Sequence, residues 1–346
     1  MRISVVFDIL VGMIKARSPV LLTGAPGVGK SDTVTQAAIE CQADMIISHP
    51  VVEDPTDVKG LPWFREGKDE AVFLPFGQLA AALKADRLTV WLLDDLGQAT
   101  PAVQASYMQL LLARRVGQHV LPDCVTFVAA TNRRSDRAGV SGILEPVKSR
   151  FATILEVTPH IDDWCSWAME HRVDPMLIAF LRMRPDLLCA FAPTAEIVNS
   201  PIPRTWSHVN NALQLGFTGV AEQGCLAGAV GEGAAGEFLA FRRMAQEAEE
   251  YSLDEILAHP TTAKIPDPSK MHALYAIVCG LAAVADKKTY LAAVTYAERL
   301  QAAGLGEYAA LFVKDLYARD SKTKAIPDAI GVQICTGPLA EHLNNG

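Results

Sequence analysis

Val6, Ile9, Leu10, Met13 and Ile14 recur at i, i+3, i+4, i+7 and i+8. This spacing predicts one apolar stripe of an amphipathic helix. Ser18-Pro19 stops it, because a proline disfavours helical backbone at the residue before it. The pattern then changes period. Residues 19–23 form a short continuous apolar run ending in Thr23. Such a run is expected of a strand covered on both faces. Similar runs lie at 45–48, 88–93, 125–130 and 152–157. Helical periodicities separate them. After residue 31, Val34, Ala37, Ala38 and Cys41 share one face; residues 76–85 read as a helix, and Pro101 opens another that reaches about Arg114. Residues 51–77 have no consistent period and are expected to be irregular. Strands alternating with helices imply βαβ units and a parallel sheet.

Beyond about residue 160 the strand-like runs stop. Helical patterns follow at 161–172, 175–188 and 204–215, with several more between 219 and 318. The expected organisation is an α/β core over 1–159, a helical domain with extra helices over 160–320, and an irregular tail over 321–346. No fixed-period repeat points to a solenoid. The longest apolar run, 273–285, is too short to span a bilayer and reads as a buried helix. Asp8 interrupts the apolar N-terminal stretch and no small-residue cleavage site follows, so a secretion signal is not expected.

Composition narrows the class. Half of the 346 residues are apolar and 20% are charged, which supports sizeable cores and excludes wholesale disorder. The 31 basic and 39 acidic residues give a net charge of −8. That balance argues against a surface devoted to nucleic acid, although Lys59, Arg65 and Lys68 leave room for a local basic channel. The seven cysteines are scattered, with no CxxC pair. They read as reduced thiols of a cytoplasmic protein. The eight histidines show no HExxH or triad spacing.

The chemistry concentrates at a few positions. Gly24-Ala25-Pro26-Gly27-Val28-Gly29-Lys30-Ser31 matches the phosphate-loop pattern GxxxxGK[ST] in full, with Asp32 following. Glycines let such a loop curl so that its N–H groups face a polyphosphate, and the following helix adds its positive end. Lys30 is expected on the β/γ-phosphates and the Ser31 hydroxyl on Mg²⁺. Asp94 and Asp95 end a buried apolar run, at the sheet edge where ligands bind in open α/β folds. Asp94 reads as a second Mg²⁺ residue and Asp95 as the base that polarises water. Asn132, after the run at 125–130, is placed to hold an amide near the γ-phosphate. Arg150 and Arg204 are candidates for the extra positive charge that phosphoryl transfer needs. The Gly/Ala-rich stretch 228–236 lacks a following lysine and reads as helix packing, not a second nucleotide site.

The order phosphate loop, Leu92-Leu93-Asp94-Asp95-Leu96, Ala129-Ala130-Thr131-Asn132, Ser149-Arg150-Phe151, Pro203-Arg204 resembles AAA+ ATPases over about residues 1–215. It is most similar to the MoxR-like, dynein-related branch that includes CbbQ/NorQ-type activators, whose characteristic loop resembles Glu53 to Gly60. The resemblance implies a P-loop α/β fold with a helical lid, and ATP or ADP with Mg²⁺ at the interfaces of a homo-oligomeric ring, usually a hexamer. It implies Asn132 as sensor 1, Arg150 as an arginine finger acting on the neighbouring subunit, and Arg204 as sensor 2. Arg133, Arg134 and Arg137 are alternatives for the finger. It further implies a protein client, reached through an adaptor with a von Willebrand factor A domain. Trp63 and Phe64 would sit in an insert that lines the pore in this branch, or else plug an irregular loop. The family places Glu after the first Walker B acid, where this chain has Asp95, so slow hydrolysis is one expectation. A nucleic-acid-stimulated motor, a nucleotide-switched scaffold and a small-molecule kinase are the other readings.

Overall fold

The computed structural model describes the chain except residues 65–66, 68–69, 137–138, 140–141, 247–250, 324–336 and 340–346. It divides into two compact units, Met1–Pro159 and His160–Gly346.

The first unit opens with α1 (Ile3–Lys15), whose stripe Val6, Leu10 and Ile14 is buried. Strand β1 (Val20–Thr23) leads through the glycine-rich turn to α2 (Lys30–Glu40), against which α1 packs. Strand β2 (Asp44–Ser48) follows, then a short helix α3 (Pro55–Lys59), a hairpin of β3 (Leu61–Phe64) with β4 (Ala71–Leu74), and α4 (Gly77–Leu83). Strand β5 (Thr89–Leu93) is buried at every position. Helix α5 (Pro101–Ala113) begins at a Thr100 cap and precedes a second small hairpin, β6 (Arg115–Val116) with β7 (His119–Val120). Strand β8 (Val125–Thr131), helix α6 (Glu145–Lys148) and strand β9 (Thr153–Glu156) complete the unit.

The five main strands form one parallel sheet in the order β2-β5-β8-β1-β9. Strand β1 is therefore internal, and the β1, β5 and β8 C-terminal ends lie at one edge in register, with Thr23 beside Thr131 and Leu93 beside Ala129. Trp91 stacks on Phe127 and meets Tyr107 edge-on beneath this edge. The unit is an α/β P-loop NTPase fold. Residues 51–77, expected to be irregular, carry a 3-10 turn, α3 and the β3–β4 hairpin. Both strands of that hairpin are apolar on both faces, so they lack the alternation that marks a half-buried strand. Trp63 and Phe64 are 65% and 79% exposed, so they do not form a plug under the loop.

The second unit is helical: α7 (Ile161–Glu170), α8 (Pro175–Met183), α9 (Pro203–Gln214), α10 (Gly219–Val230), α11 (Glu232–Gln246), α12 (Leu253–Ala258), α13 (Met271–Val284), α14 (Tyr290–Ala302) and α15 (Gly306–Thr323). Residues 184–188, expected to extend a helix, instead lie largely in a 3-10 turn over Pro185–Cys189, because Pro185 removes a backbone donor and disfavours helical backbone at Arg184. The run at 273–285 is buried within α13, which packs against α8 and α15. A ring cluster of Phe180, Trp206, Phe238 and Phe241 fills the core. The stretch 228–236 forms the end of α10 and the start of α11. Helix α15 runs past residue 321, and most of the remaining tail lies outside the described residues. No helix among the described residues is long and apolar enough to cross a membrane, and no disulfide joins the described cysteines.

Candidate functional site

The glycine-rich turn leaves β1 and closes on α2. Gly29 has φ +96°, a left-handed backbone that favours glycine. Its carbonyl accepts the Thr33 N–H at 2.9 Å and the Thr33 hydroxyl at 2.8 Å, which fixes the first turn of α2. Gly24 is required for a different reason. A Cβ there would stand 2.6 Å from the Val157 carbonyl oxygen. Ala25 and Val28 are buried, Pro26 and Gly27 half-buried, and Asp32 lies in the first helical turn.

Lys30 and Ser31 open α2 and face the ends of the neighbouring strands. The Lys30 ammonium is buried and donates to the Gly24 carbonyl at 3.0 Å, the Ala25 carbonyl at 2.9 Å and Asn132 Oδ1 at 2.8 Å. Ser31 Oγ donates to Asp94 Oδ2 at 2.8 Å. Asn132 Nδ2 donates to Asp95 Oδ1 at 3.4 Å, and the Asp95 N–H to Asp94 Oδ1 at 3.2 Å. Five predicted site residues thus meet in one network: Lys30, Ser31, Asp94, Asp95 and Asn132. The parallel pairing of β1, β8 and β5 brings these sequence-distant groups together. Asp95 adopts φ 57°, ψ 33°. Asp is one of the few residues enriched in that left-handed region.

Ser31 and Asp94 converge as two hard oxygen donors. That suits Mg²⁺, which is usually held by one or two protein oxygens plus phosphates and water. No cluster of three or more His, Cys, Asp and Glu able to hold a metal occurs among the described residues.

The arginines separate. Arg150 follows α6 and donates from Nε to the Met108 carbonyl of α5 at 3.1 Å and from a terminal nitrogen to the Pro146 carbonyl. Arg133 is bound on two sides, to Asp136 at 3.1 Å and Glu156 at 3.2 Å. Its hydrogen bond to Asp136, and then that to Glu156, holds it more firmly cationic. Arg134 is exposed. Arg137, Arg65 and Lys68 lie outside the described residues. Arg204 is exposed at the start of α9, in the other unit, and is not among the residues this network joins.

Sequence reasoning missed a buried support beneath the edge. The Tyr107 hydroxyl donates to Glu53 Oε2, and Trp91 Nε1 donates to Ser48 Oγ at 2.9 Å. Ser48 O in turn accepts the Asp94 N–H at 2.9 Å. Burial, and then the Glu53 carboxylate, push the Tyr107 phenol well above its usual range. Gln104 is a second missed group. It is fully buried on the same face of α5 as Tyr107 and bonds to Ala99, Gly142 and Leu144. A glutamine among Val103, Tyr107, Leu110 and Leu111 was the available signal.

No family model and no curated protein matches the chain. Among solved structures it is similar to a "putative ATPase" from Cytophaga hutchinsonii, at 20% identity and a TM-score of 0.32, over 45% of this chain and 46% of that one. The chain thus spans less than half of that protein's length. It is also similar to the Thermotoga maritima RuvB Holliday junction branch migration motor, at 18% identity and a TM-score of 0.38, over 87% of each chain. A point mutant of the same RuvB gives 16% identity and a TM-score of 0.39, again over 87% of each chain. These likenesses concern the fold alone.

Proposed function

We propose that the protein is an ATP-hydrolysing ring protein of the AAA+ class, MoxR-like in type, that remodels or activates a partner protein. One observation carries the reading: Lys30, Asn132 and Asp95 form one continuous hydrogen-bonded line at the edge where Ser31 meets Asp94. The phosphate loop, Gly24 to Ser31, cradles the polyphosphate with its N–H groups, and Asp32 flanks it. Lys30 neutralises the β- and γ-phosphates. Ser31 and Asp94 would hold Mg²⁺, which supplies charge neutralisation on the phosphates when bound. Asp95 accepts a proton from the attacking water, and Asn132 orients that water while reading the γ-phosphate. Arg150, reaching from the adjacent subunit, and Arg204 complete the positive charge on the transition state.

In this reading residues 1–159 are the ATPase core, 160–320 the lid with added helices, and the subunits close into a ring, of six in the family's usual form. The exposed Trp63 and Phe64 are available to touch a protein client in the pore. An adaptor with a von Willebrand factor A domain and a cytoplasmic location belong to the same proposal. Asp95 favours a second reading, a scaffold that assembles on ATP and hydrolyses it slowly.

The test is nucleotide binding by Lys30→Ala. Removing the ammonium removes charge-assisted contacts to phosphate. ATP affinity, measured by calorimetry, is expected to fall by about 100-fold or more. Unchanged affinity overturns the reading. Phosphate release measured beside ATP-dependent particle mass separates the motor from the scaffold. Mass spectrometry of what co-purifies with an Asp95→Asn trap, with and without ATP, identifies the client.

A further inference from the structure

The phosphate chemistry at the sheet edge makes no use of the buried side chain of Gln104. Gln104 sits in the first turns of α5 and is 0% exposed. Its Nε2 donates to the Ala99 carbonyl at 3.1 Å and to the Gly142 carbonyl at 2.9 Å, and its Oε1 accepts the Leu144 N–H at 3.0 Å. A buried amide with both its donor group and its acceptor engaged by backbone is costly to replace, because each loss strands a group away from water.

The partners of that amide give it meaning. Ala99 closes the 3-10 turn that begins at Asp95: Gln98 N–H donates to the Asp95 carbonyl at 2.9 Å and Ala99 N–H to the Leu96 carbonyl at 3.2 Å. Gly142 and Leu144 lie on the other side of the amide, just before α6 and Arg150. Leu144 O accepts the Val147 N–H at 2.8 Å, so it starts the helical turn that leads into Arg150. Four residues along α5 from Gln104, on the same face, the Met108 carbonyl accepts Arg150 Nε at 3.1 Å. One face of one helix therefore grips the turn after Asp95, the segment leading to Arg150, and Arg150 itself. Arg150 has five N–H donors, and these two carbonyl bonds leave part of its fork for a phosphate.

We infer that Gln104 is a positioning residue that ties the Arg150 segment to the turn following Asp95, so that the finger offered to a neighbouring subunit is set by the hydrolytic edge of its own. The inference rests on Arg150 acting in trans. Gln104 touches no nucleotide. Its loss leaves a subunit able to bind ATP and unable to present its finger.

The test uses mixed rings of the full chain. Gln104→Met, and separately Gln104→Asn, whose amide is one methylene too short to reach both sets of partners, are expected to bind ATP within about twofold of the native protein and to turn it over at least tenfold more slowly. Lys30→Ala is left unloaded at an ATP concentration that saturates the native protein, but keeps Arg150 and Gln104. An equal mixture of Gln104→Met with Lys30→Ala is expected to recover turnover toward about a quarter of the native rate. That is the fraction of sites pairing an intact nucleotide pocket with an intact neighbouring finger in a head-to-tail ring. Hydrogen exchange over 142–151 should rise in both Gln104 variants. Arg150→Ala mixed with Lys30→Ala is the control. If that control stays inactive, the finger reading itself falls and takes this one with it. If the control recovers and neither Gln104 mixture does, or if the Gln104 variants turn over normally, the Gln104 inference alone is overturned. Loss of ATP binding in both Gln104 variants also overturns it, because the residue would then hold the whole unit together.

Discussion

At the scale of single residues, the departure that matters is Asp95. Its backbone is left-handed, and its short carboxylate reaches Asn132 Nδ2 at 3.4 Å. A glutamate is less at ease in that backbone region and would shift its carboxylate by about 1.5 Å from the position that Asn132 now meets. Asp95→Glu is therefore expected to slow turnover by roughly 10- to 100-fold and leave ATP affinity unchanged, in steady-state assays paired with binding titrations. A rise in turnover would mean the site is built for the longer acid. The thiols give a second prediction. Cys165 is buried in the helical unit, and that burial pushes its pKa up to about 12. Cys279 is raised further, first by burial, despite the Arg182 guanidinium 3.2 Å from its sulfur. Raising a thiol pKa removes the reactive thiolate at a given pH. At pH 8 both are expected to resist iodoacetamide in the native protein while the exposed Cys225 reacts, and to react once denatured; peptide mapping reads this directly.

At the scale of elements, the contact that most constrains the phosphate loop is the one between β1 and β9. The Val157 N–H donates to the Thr23 carbonyl at 2.7 Å, and the Val157 carbonyl lies 2.6 Å from where a Gly24 Cβ would stand. Gly24→Ala must move backbone, which costs about 1–3 kcal/mol by the overpacking rule. Gly12→Ala makes the opposite prediction, since Gly12 lies inside α1 with nothing within 4 Å of the added carbon. That change should stabilise by about 0.5–1 kcal/mol. Urea melts of the two variants should therefore move in opposite directions, and a stable Gly24→Ala would refute the close approach. The inner strands β1, β5 and β8 were legible because burial on both faces leaves a continuous apolar run such as 88–93, whereas the edge strands β2 and β9 are only partly buried and show through their short apolar cores alone. The β3–β4 hairpin was not legible, because Leu61, Trp63, Phe64, Phe73 and Leu74 are exposed and no core face imposes a period of two. Strands β6 and β7 have two residues each, too few for any period. The phosphate loop is a local motif and could be read whole. The Glu53–Tyr107 and Gln104–Gly142 bonds join residues 54 and 38 positions apart, and only the folded sheet reveals them.

At the scale of the whole molecule, the proposed ring raises the question of which positive charge would cross from one copy to the next. Arg133 already commits its guanidinium to Asp136 and Glu156, two carboxylates of its own unit. Arg150 is held by the neutral carbonyls of Met108 and Pro146. A phosphate taken on the remaining N–H groups of the Arg150 fork adds an ion pair without breaking these bonds, whereas Arg133 would have to give up carboxylate partners first. Arg150→Ala is therefore expected to keep ATP binding and the ATP-dependent particle mass, and to lose at least tenfold in turnover. Arg133→Ala is expected to lose stability before it loses catalysis, because Asp136 is buried and would lose the cation it pairs with. Light scattering, thermal melts and phosphate release on the two variants separate these outcomes. A net charge of −8 adds a condition to the same experiment. A protein-directed ring should hydrolyse ATP at a rate that added DNA or RNA does not raise at low salt, whereas a nucleic-acid motor would show a steep, salt-sensitive stimulation. Native turnover in Arg150→Ala, or strong stimulation by nucleic acid, would place the working surface of this molecule elsewhere.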